Sequence, residues 1–315
     1  MKRPLIVVFG ATGRQGGAVA RALLAQGRWQ VRAVTRHTGS EAARALADAG
    51  AALCPADLDA PATLAAALQG AHAVFGVTNY WEHGDAQREL RQATGLAAAI
   101  AATCPTAHRI WSTLEDSRPV LRPPTGQRYA VPHLDAKAEA NAAFLAGDAP
   151  VTLLLTSFFW ENLIDFGMGP RRAGDGVLEL ALPLGAAPLP GLAVADIGPV
   201  VAALLEQPPA QCRFGIAGEH PGGARMAAVL AEVLGEPVRY VDVPLPIYAG
   251  LPFPGAAELA AMFEYKQRAS AAYVAARPVE ASRALHPGLR DFRHWALQHR
   301  AALRAAIPPL AAAAA

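Results

Sequence analysis

Residues 5–9, Leu-Ile-Val-Val-Phe, are an unbroken apolar run without a polar face, the pattern of a parallel strand covered by helices on both sides. A glycine-rich stretch follows directly, residues 18–26 have helical composition, and residues 30–35 form a second strand. The alternation continues with a short helix at 41–49, a strand at 51–54, a helix at 60–68 and a buried strand at 73–77. A helix at 87–103, a strand beginning Arg109-Ile110-Trp111, a helix at 138–145 and an apolar strand at 150–159 complete the series. Strands alternating with helices predict an α/β chain with a doubly wound parallel sheet. Beyond residue 160 the pattern loosens. It reads as short strands at 177–182, 192–195, 213–217 and 238–243, with helices at 197–206 (begun by Asp196), 225–234, 256–267 and 292–305.

The chemistry concentrates in the first half. Gly10-Ala11-Thr12-Gly13-Arg14-Gln15-Gly16-Gly17 sits between a strand and a helix, where glycines at 10, 13 and 16 permit a tight turn and a close approach of pyrophosphate to bare backbone. The helix behind it would aim its first N–H groups and its dipole at the phosphates. The spacing is G-x-x-G-x-x-G, weak by itself, but the flanking βαβ context makes it a dinucleotide motif. At the end of the second strand, where an Asp or Glu would favour NAD, the chain has Arg36, a planar donor suited to a 2′-phosphate. NADP(H) is the expected cofactor. Asp57 and Leu58 follow the third strand, where they could meet the adenine ring, although Asp57 or Asp59 could equally cap the next helix. Thr78, Asn79, Tyr80, Trp81 and Glu82 stand at the carboxyl end of the fourth strand and should face the cofactor cleft.

These readings give a Rossmann-type NAD(P)-binding domain over 1–160, and a smaller C-terminal α/β lobe over 161–310 that can return strands to the main sheet. An alanine tail at 311–315 is expected to fray. The net charge of +2 and the scattered basic residues do not suggest nucleic-acid binding. No signal-peptide pattern opens the chain and no apolar stretch is long enough to span a bilayer, so a cytoplasmic protein is expected. Cys54, Cys104 and Cys212 suit neither a disulfide framework nor a metal site and read as small buried apolar residues. Only Lys2, Lys137 and Lys266 of the 28 basic residues are lysine, so a lysine inside a motif is informative.

One such lysine closes His133-Leu134-Asp135-Ala136-Lys137. Together with the turn, and with Ser112 at a strand end, it resembles the short-chain dehydrogenase/reductase superfamily. There a Tyr four residues before the Lys moves the proton and a Ser polarises the carbonyl. Ser112 and Lys137 match; the Tyr position holds His133. Either His133 exchanges protons itself, or it packs or caps the helix while Lys137 only tethers a ribose. Tyr129, eight residues before Lys137, cannot share its helix face.

The likeness is closer than superfamily level. GATGRQGGAVARALL, VRAVTR, VTNYWE, the strand end Ser112 to Asp116, HLDAK, FFWENL, VADIGPVVAALL and LPFPGAAELAAMF resemble the NmrA-like family of atypical short-chain dehydrogenases, over roughly residues 4 to 265. Within it the chain is most similar to the HSCARG-type NADPH-sensing proteins. The resemblance implies NADP(H) contacts at Gly10, Ala11, Thr12, Gly13, Arg14, Gln15, Arg36, Asp57, Leu58, Thr78, Asn79, Tyr80, Arg91, Lys137, Phe159, Trp160, Glu161 and Asn162. It places Trp81 and Tyr248 on the substrate side. Arg91 replaces the family's lysine, and the loop at 117–132 is longer than in the sensor proteins, leaving room for a substrate pocket. Because the catalytic Tyr is lost at His133, the resemblance implies a redox-state sensor with weak or no dehydrogenase activity and a regulatory protein partner, with a homodimer left open. The alternative is an NADPH-dependent reductase of a small carbonyl, imine, quinone or benzylic ether that uses Lys137 or His133.

Overall fold

The structure, a computed structural model, describes residues 3–308, so the alanine tail lies outside the described residues. The chain opens with β1 (Leu5–Val8), α1 (Arg14–Gln26), β2 (Gln30–Thr35), α2 (Glu41–Asp48) and β3 (Ala52–Pro55). A 3-10 turn (Pro61–Thr63), α3 (Leu64–Leu68), β4 (Ala73–Gly76) and a second 3-10 turn (Tyr80–Glu82) follow, then α4 (Ala86–Thr103) and β5 (His108–Thr113). Next come α5 (Pro132–Leu145), β6 (Val151–Leu155), β7 (Phe158–Phe159), α6 (Asn162–Asp165), β8 (Arg171–Arg172), β9 (Leu178–Leu182) and β10 (Gly191–Leu192). The chain continues through α7 (Ile197–Leu204), β11 (Cys212–Gly215), α8 (Gly223–Leu234), β12 (Val238–Asp242), α9 (Leu245–Ala249) and α10 (Ala256–Arg268). It closes with α11 (Ser270–Ala275), α12 (Val279–Leu285), α13 (Phe292–Gln298) and α14 (Arg300–Ala305).

Two compact units result, and no single cut near residue 160 separates them. The first takes in Met1–Thr156, Val194–Gly215 and Ala284–Pro287; the second Ser157–Ala193, Ile216–Arg283 and Gly288–Ala315. The first holds a seven-stranded, wholly parallel sheet in the order β11-β6-β5-β4-β1-β2-β3. This is a Rossmann-like arrangement. Strands run outward from β1 through β2 to β3 on one side, and from β4 through β5 and β6 to β11 on the other. The crevice where the order reverses lies between β1 and β4, which is where such sheets bind ligands.

The central strands β1 and β4 are covered on both faces, which is why they read as continuous apolar runs. Against one face pack Leu64 and Leu68 of α3, Leu96 and Ile100 of α4, and Phe144 of α5, around Val7, Phe9, Val74 and Trp111. Trp111 and Phe144 stack with centroids 4.3 Å apart at 11°. α1 and α7 meet through Gly198, where a Cβ would stand 2.2 Å from the carbonyl oxygen of Ala18. No side chain fits there.

In the second unit β12, β9 and β8 form a three-stranded sheet and β10 pairs in parallel with β7. Trp160, Phe292 and Trp295 are fully buried together, and Gly191 leaves room for the Trp160 ring.

Three sequence expectations need correction. The strand expected over 150–159 ends at Leu155, and Phe158–Phe159 joins a different sheet. The long helix expected over 292–305 divides at His299. α7, by contrast, begins directly after Asp196 as expected; the Asp196 side chain makes no cap bond, and its carboxylate lies 3.3 Å from His286 Nε2. Of the three cysteines only Cys104 is buried, while Cys54 is partly buried and Cys212 exposed. A cysteine beside sheet-edge residues carries no sequence mark of its exposure.

Among the described residues no helix is long and apolar enough to cross a membrane. Gly198→Ala is expected to lower unfolding stability by about 1–3 kcal/mol, because its methyl would meet backbone that cannot step aside. A reduced denaturation midpoint at unchanged slope checks it.

Candidate functional site

The glycine turn occupies the strand-order reversal. Phe9 N–H donates to Phe75 O (2.9 Å) and Ala11 N–H to Val34 O (3.3 Å), so the turn is held between the strands on either side of β1. Gly10 has φ of 62°, and a Cβ there would lie 2.9 Å from Val77 Cγ1. A Cβ on Gly16 would lie 2.3 Å from Gly10 O. Backbone thus approaches backbone where α1 begins, and Gly13 at its N-cap offers no side-chain cap. The result is a cradle of bare main chain at the positive end of a 13-residue helix, which fits a diphosphate. Gly10, Gly13 and Arg14 are exposed on its surface, while Ala11 and Gly16 are buried beneath it. Thr12 and Thr35 hydroxyls are 3.2 Å apart.

On the adenosine side, Arg36 directly follows β2 and its Nη1 lies 2.5 Å from Glu82 Oε1. The Glu82 hydrogen bond is the largest influence holding this guanidinium above its ordinary range. Asp57 and Leu58 follow β3. Asp57 Oδ1 accepts from Asp59 N–H (3.0 Å), and Leu58 is partly buried against the core. Neither aspartate caps the following helix: Asp59 instead accepts from Arg88 Nη2 (2.6 Å) and Gln92 Nε2 (2.9 Å).

At the carboxyl end of β4, Lys137 Nζ donates to Thr78 O (3.0 Å) and Thr78 Oγ1 (2.8 Å), and lies 2.9 Å from Glu89 Oε1. Thr78 Oγ1 in turn donates to Glu89 Oε1 at 2.6 Å. Glu89 is wholly buried and Lys137 is 7% exposed, with its ammonium 5.3 Å from the centroid of the Trp111 ring. Sequence reading missed Glu89. The available signal was its spacing on α4, where Glu89, Gln92, Ala93 and Leu96 form the buried stripe of a helix. Arg91, which the resemblance placed at the cofactor, is exposed and stands about 200° around the helix from Glu89. The structure does not bring it to the cluster.

Ser112, next to last in β5, is buried, and its hydroxyl donates to Gln15 Oε1 at 2.7 Å, joining the strand to the glycine turn. His133, at the position of the usual phenol, is buried, with its ring 5.8 Å from Tyr80 and 5.0 Å from Trp81. Tyr80 is itself buried, whereas Trp81 is 44% exposed and Asn79 is exposed. These rings form an aromatic wall with one open face.

α5 starts at Pro132 and not at residue 138, so all of H-L-D-A-K lies on its first turns. Asp135, wholly buried, makes this possible. Its Oδ1 accepts from the Ser117 N–H and hydroxyl (2.7 and 2.6 Å), and its Oδ2 from Ala130 and Val131 N–H (2.8 and 3.0 Å). One carboxylate therefore ties both ends of the loop at 117–131 to the helix. Tyr129 in that loop is buried, and burial pushes its phenol above its ordinary range.

Phe159, Trp160, Glu161, Asn162 and Tyr248 belong to the second unit. There Trp160 packs on Phe292, and Glu161 Oε1 accepts from Trp295 Nε1 (3.2 Å). Asn162 opens α6 and Phe159 is partly buried. Tyr248 packs against Phe253 and Phe263, and burial pushes its phenol up to about 12.

The model of the NmrA-like family matches residues 2–296. The NmrA-like family domain-containing oxidoreductase FrzB of Cladobotryum sp is 29% identical over 304 residues, 89% of each chain. The NAD(P)H azoreductase of Xenophilus azovorans is 30% identical over 243 residues, 76% of this chain and 78% of its own. Among solved structures, NmrA, a negative transcriptional regulator crystallised with NAD, superposes with a TM-score of 0.74 at 20% identity, covering 95% of each chain. That last likeness is one of fold.

Lys137→Met leaves Glu89 buried and uncompensated, so it is expected to cost about 3–5 kcal/mol of stability. Adding Glu89→Leu should recover most of that loss. Denaturant melts of the single and double variants test this; a double variant no more stable than the single one contradicts it.

Proposed function

This chain belongs to the NmrA-like family, and from that premise we propose that it is a cytoplasmic NAD(P)H-dependent reductase whose acceptor is a planar, electron-poor conjugated molecule, such as a quinone or an azo compound. The observation that supports this is the aromatic face built by Tyr80, Trp81 and His133 beyond the carboxyl end of β4, where Trp81 is 44% exposed. Stacking on such a face favours flat aromatic ligands. When bound, the nicotinamide supplies hydride.

The bare-backbone cradle of Gly10, Gly13 and Gly16 and the dipole of α1 hold the diphosphate; Arg36 receives the 2′-phosphate of NADP(H). Lys137, fixed by Thr78 and Glu89, presents a positive charge whose position cannot drift. An electron-poor conjugated acceptor takes hydride with little help from a general acid, so the missing phenol at residue 133 is no obstacle. The imidazole of His133, or water, returns the proton. The azoreductase among the relatives agrees with this class of acceptor.

A second reading has its own support. Ser112 is satisfied by Gln15 and Lys137 by Glu89 and Thr78, which leaves the usual carbonyl-polarising pair engaged within the protein. That arrangement favours an HSCARG-type redox sensor that binds NADP(H) and signals to a protein partner.

Purified protein mixed with NADPH and a panel of quinones and azo dyes separates the two. We expect the absorbance of the reduced nicotinamide to fall with at least one acceptor. Trp81→Ala should lower kcat/KM for that acceptor about tenfold or more, with NADPH affinity unchanged, the loss expected for one aromatic stacking surface. Tight NADPH binding without oxidation across the panel favours the sensor instead.

A further inference from the structure

The guanidinium suited to a 2′-phosphate already has an anion beside it. Arg36 Nη1 lies 2.5 Å from Glu82 Oε1, and the two side chains are 44% and 40% exposed. Glu82 is not a bystander in sequence: it ends the 3-10 turn Tyr80–Glu82, the same turn that carries two rings of the aromatic wall. Its N–H donates to Asn79 O (3.2 Å), and the next two amides, His83 and Gly84, both donate to Tyr80 O (3.1 and 2.8 Å). A carboxylate at the tip of one tight turn therefore reaches across to the end of β2.

We infer that Glu82 is a specificity-determining residue, a built-in competitor that holds Arg36 until the 2′-phosphate of NADP(H) displaces it. The inference rests on the cofactor reading above. A phosphate monoester offers the fork-shaped guanidinium stronger charge-assisted hydrogen bonds than a carboxylate does, so the exchange runs toward the phosphate. A nucleotide with only a 2′-hydroxyl leaves the Arg36–Glu82 pair in place. The pair is open to water, so the competition is modest: it trims the preference for NADP(H) without reversing it.

Displacement has a second consequence. Trp81 precedes Glu82 directly, with its ring 5.0 Å from His133 and 5.3 Å from Tyr80. When Glu82 leaves Arg36, the end of this turn loses its tether to β2, and the environment of the half-exposed indole changes. The 2′-phosphate is thereby reported at the aromatic wall, without any contact between them.

Calorimetry with two fragments tests this without turnover: 2′,5′-ADP, which carries the 2′-phosphate, and 5′-ADP, which does not. Against wild type, Glu82→Gln and Glu82→Ala should tighten 2′,5′-ADP by about three- to tenfold and change 5′-ADP by less than about twofold, the reach of an exposed ion pair. Trp81 emission, obtained by subtracting a Trp81→Phe control, should shift with 2′,5′-ADP and not with 5′-ADP, and the shift should shrink in both Glu82 variants. Wild type that binds both fragments while the Glu82 variants keep the same ratio of affinities overturns the inference and leaves the cofactor reading standing. Wild type that binds neither fragment removes the cofactor reading, and this inference with it.

Discussion

A buried ammonium cannot stay charged without a partner, and the architecture of the first unit answers that constraint at Lys137. Glu89 from α4, Thr78 from the end of β4 and Lys137 from α5 meet within 2.6–3.0 Å. Each group would carry a large desolvation cost alone, and each offsets it for the others. Three elements that are distant in sequence are thereby locked in one arrangement. The Trp111 ring beneath the ammonium, stacked on Phe144, joins the polar cluster to the apolar core.

The glycine turn obeys a different constraint, one of space. Gly16 lies so close to Gly10 O, and Gly198 to Ala18 O, that only hydrogen fits. Both close approaches involve α1, the helix whose N-terminus forms the cradle. Its position is therefore fixed at two points by backbone contact, which is more rigid than contact through side chains. A site proposed to hold a diphosphate gains from that rigidity.

The H-x-D-x-K segment separates into three jobs once its surroundings are known. His133 joins the aromatic wall, Asp135 ties the ends of the loop at 117–131, and Lys137 anchors the polar cluster. A loop fastened by four hydrogen bonds to one carboxylate is part of the framework of the site. Its tie also explains why α5 begins as early as Pro132, since Asp135 takes the amides that precede the first helical turn.

Much of this was legible in the chain itself. The apolar runs of β1 and β4 read as strands buried on both faces, and the spacing of Gly10, Gly13 and Gly16 between a strand and a helix has few structural solutions. Such signals are local, set by periodicity and by the absence of a Cβ. Glu89 was hidden because a glutamate on an amphipathic helix ordinarily faces water; its burial exists only when Lys137 arrives from nearly fifty residues away. Arg91 shows the complementary limit: two residues along a helix reverse the direction of a side chain, so it points away from Glu89, and its charge says nothing about which face is inside. The sequence by itself determined a parallel sheet, a glycine turn between strand and helix, and the family. Tertiary structure alone decided which charges meet, because Coulombic pairing and desolvation depend on distances that no local pattern encodes.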